Sequence, residues 1–175
     1  MDKRTLGKKI LDSAYLEGDF TLRSGKKSKY YLDKYLFATK PDILAPLAKE
    51  LAKKLPSLDS FDRLAGPELG AVALVAALSI EIGKPFIIVR KGQKGYGTDK
   101  VVEGEIHAGE KVVLVEDILT TAGAAITAAE NLRSIDIDVK LILGVIDREQ
   151  GARENIEKAG FVMDSVFTKT ELGIG

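Results

Sequence analysis

The sequence contains no cysteine and only one histidine, His107. A chain without cysteine can form no disulfide, no cysteine nucleophile and no thiolate metal site. His107 stands in the polar segment 105–109, where a surface side chain is far more common than a catalytic one, and a single histidine makes no metal site. The lack of cysteine is compatible with a cytoplasmic protein, which is the location that we expect.

The sequence also lacks a net charge and a long apolar run. Its 26 basic residues balance 26 acidic ones, so no global electric field favours nucleic acid or a membrane surface as a partner. The longest apolar stretch, residues 69–80, is too short to span a bilayer. Asp12, Glu17 and Asp19 arrive before any long apolar run, so we do not expect a signal peptide.

The composition that remains is that of a globular protein. The chain has 175 residues, of which 45% are hydrophobic and 30% charged, enough for one domain with a real core. From residue 41 onward, helical and strand patterns alternate, which predicts an α/β fold with a mainly parallel central sheet and helices on both faces. The predicted helices cover residues 41–55, 71–82, 121–133 and 149–159. The predicted strands cover residues 64–65, 86–89, 112–115, 141–146 and 162–168.

The stretch 112–124 is the most informative part of the sequence. A short β-branched run, residues 112–115, is typical of a buried parallel strand, and we expect it to end at Glu116 and Asp117. A small polar turn, residues 120–124, then leads into a helix, whose free N–H groups and dipole can hold a phosphate. Carboxylates just before the turn can accept the hydroxyls of an attached ribose. An ordinary crossover with solvated acids explains this spacing about equally well.

Charged residues follow several of the predicted strands. Because the carboxyl ends of parallel strands meet at one edge of the sheet, ligands bind there in such folds. We therefore expect four segments to converge on one site, and their convergence is stronger evidence than any one of them: residues 66–68, 90–91, 116–117 and 147–148.

The segment 90–100 joins two predicted strands without a helix. Five cations and one acid lie between residues 84 and 100. Gly92, Gly95 and Gly97, together with the lack of apolar anchors, predict a mobile cationic flap. The alternative is a plain exposed hairpin loop, which we consider less favoured because its cations would lie near the predicted phosphate site.

The N-terminal part precedes the alternating pattern. Residues 5–17 predict an amphipathic helix, and residues 20–33, whose alternation is broken at Ser24 and Gly25, predict a β-hairpin. Composition alone favours a solvated basic hairpin. The alternative is a lid that presents cations and aromatic rings to a planar anionic ligand. The residues concerned are Arg23, Lys26, Lys27, Lys29, Tyr30 and Tyr31.

These pieces together resemble the type I phosphoribosyltransferase family, and within it the members that act on orotate. The resemblance covers residues 20 to about 153. Residues 112–124 are similar to the ribose-phosphate motif of the family, residues 20–31 to its N-terminal hood, residues 90–97 to its flexible loop, and residues 147–151 to its substrate-contacting segment. The resemblance implies one domain, residues 1–175, with a hood segment 1–37, an α/β core 38–175 and a flexible loop 90–104.

The resemblance implies a reaction as well as a fold. The expected activity transfers ribose 5-phosphate from phosphoribosyl pyrophosphate to orotate, giving orotidine 5′-monophosphate and pyrophosphate. Mg²⁺ is expected as cofactor, held mainly by the substrate and without direct protein ligands. The expected assembly is a homodimer with shared active sites. Two alternatives stay open: a phosphoribosyltransferase for another base, and a non-catalytic regulator that senses phosphoribosyl pyrophosphate.

The site residues implied by the resemblance fall into three groups. The expected catalytic residues are Lys94 and Asp117. The expected contacts of phosphoribosyl pyrophosphate are Arg90, Lys91, Lys94, Tyr96, Glu116, Asp117, Ile118, Leu119, Thr120, Thr121, Ala122, Gly123 and Ala124. The expected contacts of orotate are Arg23, Tyr31, Thr120 and Arg148.

The sequence departs from the family pattern at a few positions. Ala122 replaces a glycine and Ala124 a serine, and losing one hydrogen bond to a charged phosphate costs roughly 1.5–3 kcal/mol, so we expect weaker binding and not abolition. Gly70 stands where many members have a lysine, so pyrophosphate would rely on backbone N–H groups. Tyr96 replaces a loop histidine, which argues against histidine-based proton transfer. The Ala122, Ala124 and Gly70 departures slightly favour the regulator, whereas the cationic loop favours an enzyme.

Overall fold

A computed structural model describes residues 1–21, 25, 27–92 and 100–174. The N-terminal part, which we call the hood, packs two helices and a hairpin together. Helix α1 (Lys3–Ala14) leads into strand β1 (Tyr15–Thr21), which pairs antiparallel with β2 (Lys27–Leu32) and is followed by helix α2 (Lys34–Ala38). The predicted helix was too long at its C-terminal end, because the chain enters β1 at Tyr15, opposite Leu32.

The body of the protein is a six-stranded sheet with helices on both faces. Its strand order is β5-β4-β3-β6-β7-β8, and all pairs are parallel except β4 with β5. This arrangement confirms the predicted α/β class. The elements are α3 (Pro41–Ala52), β3 (Arg63–Pro67), α4 (Val72–Ile82), β4 (Phe86–Val89), β5 (Val102–Glu103), β6 (Lys111–Leu119), α5 (Gly123–Ser134), β7 (Asp138–Asp147), α6 (Ala152–Lys158), β8 (Met163–Thr168) and α7 (Lys169–Leu172), with a 3-10 turn at Leu58–Ser60.

Strand β6 lies in the middle of the sheet and is buried on both faces. Val113 contacts the core formed with the hood, α3 and α4, whereas Leu114 contacts the core formed with α5 and α6. Because side chains alternate along a strand, a strand covered on both faces needs apolar residues at successive positions. This explains why the run 112–115 is continuously apolar and does not alternate with polar residues.

Strand β6 is longer than the sequence predicted. We expected it to end before Glu116, but it continues to Leu119, and Glu116 pairs with Gly144 of β7. The Leu119 side chain packs over Gly144, where a Cβ would lie 2.6 Å from Leu119 Cδ1. The two acids are therefore part of a rigid strand and face opposite sides of the sheet.

No helix in the described part of the chain is long and apolar enough to cross a membrane.

Candidate active site

A cavity of about 450 Å³ opens at the carboxyl ends of the central strands. Pro67, Arg90 and Lys91 line one side of it, and the end of β6 with the start of α5 lines the other. The structure thus brings together most of the residues that the sequence predicted as contacts of phosphoribosyl pyrophosphate. Those that line the cavity are Arg90, Lys91, Glu116, Ile118, Leu119, Thr120, Thr121, Ala122, Gly123 and Ala124.

The start of α5 forms an anion-binding surface within the cavity. Ala122 adopts a left-handed conformation, with φ 63 and ψ 16, and the helix begins at Gly123 without a side-chain cap. The first N–H groups of a helix have no partner inside the helix, so those of α5 can donate hydrogen bonds to a ligand in the cavity. An uncapped helix start of this kind favours phosphate.

The acid pair divides between two environments. Glu116 lines the cavity, whereas Asp117 points to the other face of β6 and lies under the turn that contains Gly70. Asp117 is 3% exposed, and its Oδ2 lies 2.8 Å from Lys34 Nζ of the hood. Asp117 Oδ1 accepts a hydrogen bond of 2.6 Å from the Ile118 N–H. The structure therefore brings one of the two predicted ribose acceptors to the cavity, and the ribose role of Asp117 stays a prediction.

The burial of Glu116 changes its acidity. Burial, together with the negative charge of Asp117, raises the pKa of Glu116 from 4.5 to about 7. The hydrogen bond from the Asp117 N–H and the positive charges of Lys34 and Lys91 act in the opposite direction. For Lys34, burial lowers the pKa, but the contact with Asp117 outweighs burial and the pKa is raised.

The start of the predicted cationic loop is anchored beside the cavity. Arg90 Nη1 lies 2.6 Å from Glu103 Oε1, and the Arg90 N–H donates to the Val101 carbonyl at 2.9 Å. The Lys91 N–H donates to Glu68 Oε1 at 2.8 Å, which ties the loop to the turn after β3. Lys94 and Tyr96, both predicted site residues, lie outside the described residues.

Arg148 is not among the residues that line the cavity, but it contacts Leu119, which is, and its side chain is held by a hood tyrosine. The Arg148 N–H donates to the Leu119 carbonyl at 2.8 Å, and the side chain is buried, with 7% exposure. Arg148 Nη2 donates to the Tyr30 hydroxyl at 2.7 Å. Arg148 Nε is buried without a hydrogen-bond partner among the residues that the structure describes. A buried donor without a partner is costly, so Arg148 is ready to bind an acceptor from a ligand.

Tyr30 contacts Arg148, whereas the predicted contact of Tyr31 with orotate stays a prediction. Tyr31 is 42% exposed and packs on Phe20 with ring centroids 5.6 Å apart. The alternation of β2 could have shown this, because Tyr30 and Leu32 share the buried face of the strand. Arg23, the other predicted hood contact, lies outside the described residues.

Sequence reasoning missed two further residues, Lys34 and Glu68. Lys34 and Asp117 are 83 positions apart in the sequence, and no local pattern predicts a contact between residues so far apart. Glu68 stands in the turn 66–70 that we had placed at the site, but its hydrogen bond to the loop backbone depends on the tertiary fold.

The described residues contain no group of three or more histidine, cysteine, aspartate or glutamate side chains that could hold a metal ion. Glu116 is the one carboxylate among the residues that line the cavity. Mg²⁺ requires about six oxygen ligands, so these residues fit a magnesium ion only if a substrate supplies most of its oxygens.

Comparison with known proteins gives consistent matches. The phosphoribosyl transferase domain matches residues 39–170. The orotate phosphoribosyltransferase of Pyrococcus horikoshii is 49% identical over 156 residues, which cover 89% of this chain and 84% of that protein. The crystal structure of the enzyme from Aeropyrum pernix has a TM-score of 0.85 and 31% identity, and covers 97% of this chain and 99% of that chain. The Mycobacterium tuberculosis enzyme in complex with phosphoribosyl pyrophosphate has a TM-score of 0.84 and 27% identity, with 99% and 100% coverage.

Proposed function

This chain belongs to the phosphoribosyl transferase family, and its curated relatives at this similarity are orotate phosphoribosyltransferases, from which we propose how its cavity performs the reaction. The protein transfers ribose 5-phosphate from phosphoribosyl pyrophosphate to N1 of orotate, giving orotidine 5′-monophosphate and pyrophosphate. In this step the C1′–O bond to pyrophosphate breaks, the C1′–N1 bond forms, and N1 loses its proton. The observation that carries the proposal is the placement of an uncapped helix start, a carboxylate and two cations around one cavity.

The phosphate of the sugar binds at the start of α5. The N–H groups of the first helical turn and the hydroxyls of Thr120 and Thr121 donate to it, and the helix dipole favours its charge. Ala124 contributes its backbone without a hydroxyl. Fixing this end of the substrate places C1′ at a constant distance from the strand ends, which removes much of the orientational cost of the reaction.

Glu116 binds the ribose hydroxyls from the floor of the cavity. Departure of pyrophosphate leaves a sugar with oxocarbenium character, and a fixed carboxylate nearby stabilises that positive charge in a site from which water is largely excluded. The carboxylate acts in its ionised form, so its raised pKa places the acidic limit of activity near neutral pH. Asp117, on the other face of the strand, contacts Lys34, and its predicted role as a second ribose acceptor stays part of the proposal.

Arg90 and Lys91 bind the departing pyrophosphate, and Lys94 closes over it from the loop. Mg²⁺ held by oxygens of the substrate neutralises part of the pyrophosphate charge when it is bound. Because Lys94 acts on charge that develops as the bond breaks, Lys94→Ala should lower kcat much more than the affinity for phosphoribosyl pyrophosphate. Lys158→Ala, on the exposed side of α6, is the matched control. An unchanged kcat in Lys94→Ala would show that the loop takes no part in the chemical step.

Orotate binds beside Arg148. Its carboxylate and ring oxygens are acceptors for the buried guanidinium, whose Nε has no partner among the described residues. Thr120 lies between this position and the phosphate, and Arg23 and Tyr31 complete the hood side. A planar anion suits this environment because a guanidinium offers donors in a fixed plane.

The proposal includes a homodimer. Helix α4 is apolar on nearly every side, with Leu74, Val75 and Leu78 in the core and Ile80 86% exposed on the outer side. A helix of this kind is normally buried all round, so a second copy is the expected cover. Because phosphoribosyl pyrophosphate is a polyanion that does not cross a bilayer unaided, a cytoplasmic location is also part of the proposal.

The test is an assay of nucleotide formation. The protein is mixed with Mg²⁺, phosphoribosyl pyrophosphate and either orotate, uracil or a purine base. We expect orotidine 5′-monophosphate and pyrophosphate in equal amounts with orotate and no nucleotide with the other bases. Turnover with only a purine or with only uracil would assign the site to another base. Binding of phosphoribosyl pyrophosphate without product from any base would assign a regulatory role.

A further inference from the structure

The hood places one cation directly on the acid pair. Lys34 is the first residue of α2, and Asp33 caps this helix. Its ammonium lies 2.8 Å from Asp117 Oδ2, and the Asp117 side chain is 4% exposed whereas that of Lys34 is 29% exposed. A carboxylate so deeply buried needs a partner to stay charged. Among the described residues, Lys34 is the cation that supplies it.

Gly70 makes this contact possible. A Cβ at position 70 would lie 1.8 Å from Asp117 Oδ2 and 2.9 Å from Lys34 Nζ. No side chain therefore fits at this position while the ion pair is in place. Gly70 stands where many members of the family have a lysine, which suggested a loss of positive charge from this turn. Lys34 brings a cation to the same point from the hood.

Lys34 acts on the cavity through Asp117. The two Asp117 oxygens are held by different partners, Lys34 on one side and the Ile118 N–H on the other. The Asp117 N–H in turn donates to Glu116 Oε1 at 3.2 Å. Lys34 and the Ile118 N–H thus limit the rotation of the Asp117 carboxylate, and the N–H of the same residue contacts the Glu116 carboxylate.

We propose that Lys34 is a positioning residue for the transfer reaction, which holds the Asp117 carboxylate in place and through it orients Glu116 towards the sugar. The inference rests on the proposed function of the cavity. The charged groups around Glu116 are Asp117, Lys34 and Lys91. Removal of Lys34 takes away one of the two cations that favour the ionised form of Glu116, so its effect should depend on pH.

The experiment compares Lys34→Met, which keeps the length of the side chain, with Lys34→Arg, which keeps its charge. Lys9→Met is the matched control, because Lys9 Nζ also lies 2.8 Å from a carboxylate, that of Asp42, but on the far side of the hood. We expect Lys34→Met to lower kcat by roughly 100-fold, as small misplacements in active sites do, with KM values changed much less. The acidic limit of kcat/KM should move to higher pH. Lys34→Arg should recover most of the loss, and Lys9→Met should match the wild type.

A second variant and a second measurement keep the test decisive if Lys34→Met folds poorly. Gly70→Ala keeps every charge but forces the pair apart, and it should show the same fall in kcat. NMR titration of the Glu116 carboxyl carbon in the unliganded protein should show a higher pKa in Lys34→Met and a wild-type pKa in Lys9→Met. Unchanged titration, or a loss of kcat that is equal at every pH, would overturn the positioning role. Failure of the wild type to form orotidine 5′-monophosphate would instead overturn the proposed function, while the titration would still test the Lys34 contact.

Discussion

Glu116 combines deep burial with a position in the cavity at the carboxyl ends of the central strands. Its folded pKa of about 7 lies above the ordinary 4.5, so protonation favours the folded state. Below pH 4.5 both states are protonated and this advantage is fully present. As the pH rises from 4.5 to 7 the unfolded state ionises first, and the advantage is lost. The shift of the Glu116 pKa between the unfolded and folded states corresponds to a free energy of about 3 kcal/mol.

We therefore expect Glu116→Gln to be more stable than the wild type at pH 8 and about equal to it at pH 4. Urea unfolding at both pH values measures the two differences. Glu149→Gln is a control of opposite sign, because hydrogen bonds from the Thr170 hydroxyl and N–H lower the pKa of Glu149. The stability of Glu149→Gln relative to the wild type should fall as the pH rises. A Glu116→Gln effect that is the same at both pH values would contradict the burial argument.

Ala122 is a second residue whose environment leads to a prediction. It has a φ of 63 and no polar side chain to support that conformation. A left-handed conformation destabilises a non-glycine residue by about 1–2 kcal/mol. Glycine avoids this strain, but it loses more backbone entropy than alanine on folding, which destabilises the folded state by about 0.5–1 kcal/mol. Ala122→Gly should therefore raise the free energy of unfolding by about 0.5–1 kcal/mol, as measured by urea unfolding. Ala125→Gly, inside α5, should lower it by about 1 kcal/mol. Similar losses in both variants would contradict the strain at Ala122.

At the scale of elements, Tyr30 of β2 contacts Arg148 at the end of β7, and we propose that this contact sets the base side of the cavity. Tyr30→Phe removes the hydroxyl that accepts from Arg148 Nη2 at 2.7 Å. Hydrogen bonds to charged groups contribute about 1.5–3 kcal/mol, so the KM for orotate should rise by about tenfold or more. The KM for phosphoribosyl pyrophosphate should stay within about twofold, because in the proposed function β6 and α5 bind that substrate.

Steady-state kinetics with each substrate varied in turn measures this separation. Tyr35→Phe is the matched control, since Tyr35 lies on α2 of the same hood and is 44% exposed. An equal rise in both KM values would mean that the hood supports the whole cavity and not the base side alone.

The exposed side of α4 leads to a prediction for the whole molecule. If a second copy covers this helix, Ile80→Glu places a charge in an apolar interface and should convert the dimer into a monomer at micromolar concentration. Sedimentation velocity measures the mass. Val162→Glu is the control, because Val162 is 62% exposed on the loop that precedes β8. A wild-type monomer, or a dimer that Ile80→Glu leaves intact, would exclude this interface.

The sequence predicted the fold class and most of the cavity because both depend on local patterns. Apolar runs define the strands, and polar residues at their ends converge when the strands are parallel. The bounds of β6 were wrong because pairing with β7, a contact between distant parts of the chain, extends the strand past the two acids. Tyr30 and Lys34 were missed as site residues because their roles depend on how the hood packs on the body, and no short-range spacing encodes that packing.

Strand β2 belongs to the hood and strand β6 to the body, and this separation has an evolutionary consequence. In the proposed function, a strand and a helix of the body bind the sugar phosphate, whereas the base meets Arg148, which contacts a hood tyrosine. Because Lys34 of the hood also contacts Asp117 of β6, an exchange of the hood alone would alter both ends of the cavity. A change of nucleobase that leaves the donor-binding residues working therefore has to keep the Lys34 contact.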